Sequence, residues 1–185
     1  MKKIFLTLTI AAASTLYSQV IIGDKVGTAT TKTSVLLEFA ANQNKGLILP
    51  YVTTLPSGAG FVEGTIVLDA TNASKARVRF FNANTTLGTN GWTDLSGQDG
   101  NVTSALTSQP ATAEEATAKA IIGAEASPAD GVLVLESTAK AMVLPIVAST
   151  NDIPKPSPGM MVYVNKTGAK RLAVFNGSKW SFWKP

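Results

Sequence analysis

The chain has neither histidine nor cysteine among its 185 residues, and this removes the side chains most used for chemistry near neutral pH. Without His there is no ordinary general base and no imidazole metal ligand. Without Cys there is no thiolate nucleophile, zinc–thiolate site, disulfide or lipidated cysteine. Ser-His-Asp and Cys-His arrangements are therefore excluded. Carboxylates remain. Glu114 and Glu115 are the only adjacent acidic pair, and capping of a short helix accounts for them. Glu38 and Glu136 recur in matching segments, Leu37-Glu38 and Leu135-Glu136. A duplicated carboxylate is expected to satisfy backbone or charged groups in each copy rather than to catalyse. Asp24, Asp69, Asp94, Asp99 and Asp152 offer oxygens to a calcium ion, but none falls in the alternating pattern of an EF-hand or nonapeptide loop. No Gly-rich phosphate loop follows a strand and opens a helix. The residues point away from an enzyme, with no cofactor and no metal.

Aromatic side chains are the remaining candidates, because exported binding proteins use exposed rings as platforms. Trp92 and Trp180 each stand near the end of one of two related segments, where a large ring would plug a small sheet. On a strand, Trp180 and Phe182 share one face and Trp183 takes the other, so at least one ring points away from the local core. Tyr51, Phe182 and Trp183 are thus the candidate partner-binding residues. Packing between modules or subunits is favoured over glycan binding, since protein interfaces also enrich aromatics.

The elements that hold these residues form an internal repeat. Ile21-Ile22-Gly23 returns as Ile121-Ile122-Gly123, and Leu47-Ile48-Leu49-Pro50 as Met142-Val143-Leu144-Pro145. Gly64 matches Gly159, Arg77-Val78-Arg79-Phe80-Phe81-Asn82 matches Arg171-Leu172-Ala173-Val174-Phe175-Asn176, and Trp92 matches Trp180. The offset shrinks from 100 at Ile21 to 88 at Trp92, as loop deletions on a shared fold would produce. Each copy is rich in short β-branched runs punctuated by turn residues. Val35 to Phe39 and Leu47 to Leu49 read as a hairpin across Asn42-Gln43-Asn44-Lys45-Gly46. Arg77 to Phe80 alternates with the period of a half-buried strand, and Asn176-Gly177 predicts a tight type I′ turn into Trp180. The expected fold is all-β: two tandem small antiparallel modules at residues 19–96 and 120–185. An Ala/Thr/Ser-rich linker at 97–119 joins them, either flexible or forming a short helix capped by Thr112.

Residues 1–18 read as a secretory signal peptide, with Lys2 and Lys3 before an apolar run too short to span a bilayer. Removing those two lysines from 16 basic side chains leaves 14 against 12 acidic ones, a net charge of +2 rather than +4. The charges are scattered, so no nucleic-acid partner is expected, and no transmembrane segment is expected in the mature form. A module of about 60 residues is marginal alone without staples, which predicts packing between the copies or self-association. The apolar strand Val20, Ile21 and Ile22 is the candidate assembly strand, with Val35 to Phe39 a further candidate for strand addition.

Several elements together resemble a known group. These are the leader ending in Ser18-Gln19-Val20, Leu37-Glu38, the run Asn44-Lys45-Gly46-Leu47-Ile48-Leu49-Pro50, Gly159-Met160-Met161-Val162-Tyr163 and Asn176-Gly177-Ser178-Lys179-Trp180. They are similar to secreted β-repeat proteins of Bacteroidota that carry Leu-Leu-Pro, Gly-x-x-Val-Tyr and Asn-Gly-x-x-Trp elements in series. Some of those are like modules of surface adhesins or fibre-like proteins. The resemblance implies a secreted, extracellular or cell-surface protein, with the periplasm as a further location. The expected role is structural or adhesive, associating with itself or with another cell-surface protein; a glycan- or envelope-binding module is the alternative.

Overall fold

The computed structural model describes residues 19–86, 90–109, 115 and 118–183; the leader, and Thr112 with most of the helix it was expected to cap, lie outside them. The described chain is almost wholly β. Its strands are β1 (Val20–Ile22), β2 (Val35–Phe39), β3 (Leu47–Ile48), β4 (Tyr51–Val52), β5 (Ile66–Asp69), β6 (Arg77–Asn84) and β7 (Gly91–Asp94) in the first half. A short helix, α1 (Thr103–Thr107), precedes β8 (Ala120–Ile122), β9 (Leu133–Leu135), β10 (Ala141–Val143), β11 (Ile146–Val147), β12 (Met160–Val164), β13 (Arg171–Phe175) and β14 (Trp180–Trp183).

Four sheets result, in the orders β1-β2-β10, β4-β5-β6-β7, β11-β12-β13-β14 with β3 added to β12, and β8-β9. The two larger sheets share one pairing scheme. Tyr51 lies opposite Leu68 in a parallel pair, as Ile146 lies opposite Tyr163. Ile66 faces Phe80 across an antiparallel pair, as Met161 faces Val174. Phe81 faces Trp92, as Phe175 faces Trp180. In both, cross-strand rings meet at a tilt at the closing pair, with centroids 5.5 Å and 5.3 Å apart; Phe61 adds a third ring, tilted against Phe81 and stacked on Trp92.

Two expected turns come out differently. β2 does not form a hairpin with β3. Its neighbours are β1 and β10, both parallel, while β3 crosses to pair antiparallel with β12. Asn42 and Asn44 do take left-handed backbone, at φ 58° and 52°, so the chain turns where the sequence says it should. A turn of that length does not dictate which strand receives the outgoing segment, and β2 meets its hydrogen-bonding needs with two parallel partners. The link from β13 to β14 is a four-residue loop rather than a two-residue turn. Gly177 alone takes positive φ, at 100°, while Asn176 Oδ1 accepts from the backbone N–H groups of Ser178 and Lys179 at 3.0 and 2.9 Å. The amide side chain stabilises the loop from inside, as Asx turns do.

Burial explains why these runs are so apolar. Val35, Leu36, Leu37 and Glu38 of β2 are all buried, so that strand is covered on both faces as well as both edges. β12 is similar: Met161 belongs to a core with Leu49, Leu68, Val78, Val102 and Val174. Met160, Val162 and Val164 point instead into a second core with Val147, Ile153 and Ala173. Each such side chain contributes about 1.5–3 kcal/mol on burial. The first core draws on both halves of the chain. Residues assigned by sequence to a linker also pack against it: Gly100 bridges to Ala76, and Val102 is 1% exposed within the core.

Candidate assembly surface

Strand edges distinguish the halves. β2 is flanked on both sides, so it has no edge to offer a neighbour, contrary to the expectation of strand addition there. β1 sits at the rim of the same sheet, with Val20 and Ile22 exposed at 37% and 48%. The candidate strand Val20, Ile21 and Ile22 thus keeps one edge unpaired among the described residues. Among the described residues, β9 pairs with β8 alone. Its outer edge carries Val132 and Leu133, 55% and 39% exposed, and overlooks a groove of about 870 Å³. Leu47 and Ile48 of β3, together with Val62 and Ile66, also line it; Ile48 is 49% exposed. The groove is largely apolar, and among the described residues β9 pairs with no strand but β8 and β3 with none but β12.

The carboxylate of Glu38 is fully buried beneath the 24–32 loop. Its Oε2 accepts from the N–H groups of Thr28 and Ala29 at 3.0 and 2.9 Å. Its Oε1 accepts from the Gln19 side-chain amide and from the Lys32 ammonium. Burial acts to raise the pKa of this group, but the bonds from Lys32, Ala29 and Thr28 and the Lys32 charge outweigh it, leaving the carboxyl below its ordinary value. Gly27 is required beside it: at φ +70° a Cβ would lie 2.0 Å from Oε1. Glu38 is a structural clamp, as its sequence position suggested. Glu136 does not share its place. Glu38 stands opposite Ile21, whereas Val134 stands opposite Ile121, and Glu136 accepts from Ser127 Oγ just beyond β9. Set against Leu37-Glu38, Leu135-Glu136 stands two residues out of register, the smallest offset that keeps each side chain on its own face.

Three further carboxylates are engaged as well. Asp94 and Asp99 hold Arg77 between them, and their bonds raise its pKa against the opposing effect of burial. Asp69 lies 2.9 Å from Arg79 Nε and accepts from Thr71. Among the described residues, no group of three or more His, Cys, Asp or Glu side chains could hold a metal ion, and no helix is long and apolar enough to cross a membrane.

The three candidate aromatics occupy unlike places. Phe182 and Trp183 end the edge strand β14, each 46% exposed. Arg171 lies over the Phe182 ring at 5.1 Å, and Trp183 Nε1 donates to the Leu95 carbonyl at 2.6 Å. Tyr51 instead packs against the first core and donates to the Pro158 carbonyl at 2.7 Å; burial raises its pKa. Sequence reasoning did not reach the β9 edge. Its signal was Gly131-Val132-Leu133-Val134-Leu135, an apolar run with no polar alternation, which marks a strand meant for cover on both faces.

Fold and surface together define an all-β protein with an apolar groove between unpaired strand edges. Residues 121–184, running from β8 past β14, match the model of a family described as a phage tail like trimerisation region. No curated protein and no solved structure matches the chain.

Proposed function

We propose that the chain is a non-enzymatic structural subunit that associates with copies of itself, three being the expected number, in an extracellular or cell-surface assembly. The observation that carries this reading is the similarity of residues 121–184 to a trimerisation region, a stretch that includes strand β9, one edge of which is unpaired among the described residues. In this reading residues 19–96 and 120–185 are two copies of one β module. Support comes from the recurring register: parallel partners Tyr51 and Leu68 against Ile146 and Tyr163, then the same two antiparallel steps ending on Trp92 and Trp180. The basic, apolar leader and the likeness to secreted β-repeat proteins support export. An adhesive role, with another surface protein as partner, extends the same reading.

Light scattering with electron microscopy on the protein from Gln19 onward tests it. A particle of three chains, or a filament, is expected; a monomer at all accessible concentrations refutes assembly. A second reading, binding of a glycan or envelope component, is favoured by the exposure of Phe182 and Trp183 at the rim of β14. If that reading holds, Trp183→Ala abolishes retention on cell-wall or glycan matrices while the assembly persists.

A further inference from the structure

Within the chain, the far edge of β2 is covered by β10, with Met142 opposite Leu37 and Val143 opposite Glu38. The strand pair β8-β9 repeats β1-β2: Leu133 and Val134 hold the places of Leu37 and Glu38 when Ile122 is set against Ile22. Yet no described strand covers β9. The strand that corresponds to β10 is β3, since Leu47-Ile48-Leu49-Pro50 matches Met142-Val143-Leu144-Pro145. Among the described residues β3 is bonded on one side only, to β12, and its Ile48 is exposed. One strand lacks a cover, and the segment whose counterpart supplies that cover has a side to spare.

Resting on the assembly reading above, we infer that β9 of one copy is covered by β3 of a second copy, in parallel, with Leu47 opposite Leu133 and Ile48 opposite Val134. The contact repeats between chains what β10 does for β2 within one. It would withdraw Val132, Leu133 and Ile48 from water and satisfy the backbone groups along the groove. Such strand addition takes its affinity from main-chain hydrogen bonds and its register from side chains that alternate between faces. The contact joins unlike surfaces, the second half of one chain to the first half of the next. It is therefore head-to-tail, and such contacts close into rings when the rotation permits and otherwise run on as filaments. Three copies closing in this way would place six half-chains around one axis.

The absence of native cysteine gives a clean test. Residues directly opposite on paired strands have Cα atoms about 5 Å apart, inside the roughly 4.4–6.8 Å range that a disulfide spans. Leu47→Cys and Leu133→Cys are made as separate full-length variants, mixed under conditions that allow subunit exchange, and oxidised. Leu135→Cys replaces Leu133→Cys in a parallel mixture to catch a register slid by two. A disulfide-linked pair of chains that forms in a mixture, and in neither variant alone, is the expected result, with either register supporting the contact. The double variant Leu47→Cys with Leu133→Cys should then give a covalently closed oligomer on a non-reducing gel. A link confined to single chains in that variant overturns the inference, because β3 would then cover β9 of its own chain. So does a link from Leu133→Cys to Val20→Cys in place of Leu47→Cys, which would put β1 in the groove. Light scattering on the same samples separates the two failures. An oligomer without the Leu47–Leu133 or Leu47–Leu135 link refutes this contact alone, whereas a monomer refutes the assembly reading and this contact with it.

Discussion

Replacing Glu38 with Gln should cost about 3 kcal/mol, near the lower bound for breaking a buried ion pair by removing one partner. Both carboxylate oxygens accept from two donors: Thr28 and Ala29 N–H on one, Gln19 and Lys32 on the other. Glutamine keeps one accepting oxygen and turns the other position into an NH₂ donor. In either orientation two donors face a donor, and hydrogen bonds to charged groups contribute about 1.5–3 kcal/mol each. Lys32 softens the loss, because its side chain is 26% exposed and its ammonium can return to water. The cost should appear as a urea midpoint lowered by about 1 M or more, given slopes of roughly 1–3 kcal/mol per molar for small proteins. Acid supplies a second readout. The folded pKa of Glu38 lies below its ordinary value, so its contribution is present above an unfolded pKa of about 4.3 and is lost as pH falls through the folded value. The difference between native and Glu38→Gln proteins should therefore narrow steadily below about pH 4.3. A difference that stays constant down through that range, or a total cost under about 1 kcal/mol, would refute the clamp.

Gly27→Ala should lose about 3 kcal/mol, from left-handed backbone at φ +70° and a Cβ driven into the Glu38 carboxylate. Combined with Glu38→Gln it should cost clearly less than the sum, by denaturant unfolding of all four proteins in the cycle. Val102→Ala removes two methyl groups from the shared core and should cost about 2 kcal/mol by the same assay, transfer and cavity together. Trp183→Ala, which gives up one hydrogen bond and a half-exposed ring, should cost only about 1 kcal/mol. Light scattering should show its oligomeric state unchanged, because β14 lies outside the β3–β9 contact.

The sequence located strands better than it matched them. Apolar runs at Val35, Ile66, Met160 and Arg171 all became strands, because branched side chains alternating or massed in short runs suit a pleated, buried surface. Pairing was harder to see. Side-chain period tells which face is covered but says nothing of edges, and all three partners of β4, β11 and β1 are parallel strands reached over long loops. The hairpin expected between β2 and β3 failed for that reason: Asn42 and Asn44 turn the chain locally, but the destination of β3 is set by a Met-rich strand in the other half. The Ala/Thr/Ser composition after Gly97 concealed Val102, whose burial depends on a cavity formed by residues distant in sequence. Trp92 and Trp180 were legible because a large ring at the close of each segment has few places to go. The groove at β9 was not, since the apolar run from Gly131 to Leu135 marks a strand to be covered on its faces, while an unpaired edge is a property of topology.

The completion of β2 by β10 also fixes an order of events in time. A ribosome delivers the chain from its N-terminus, and the strand with four consecutive buried residues emerges long before the one that closes its open side. Until Ala141–Val143 is available, the emerging polypeptide carries a sticky, half-paired edge of the kind that chaperones shield and that seeds aggregation. The first half thus cannot mature alone while the second is still being made. Chains cut short before residue 141 should accumulate as insoluble material, and productive folding should begin only once nearly the whole length has been released.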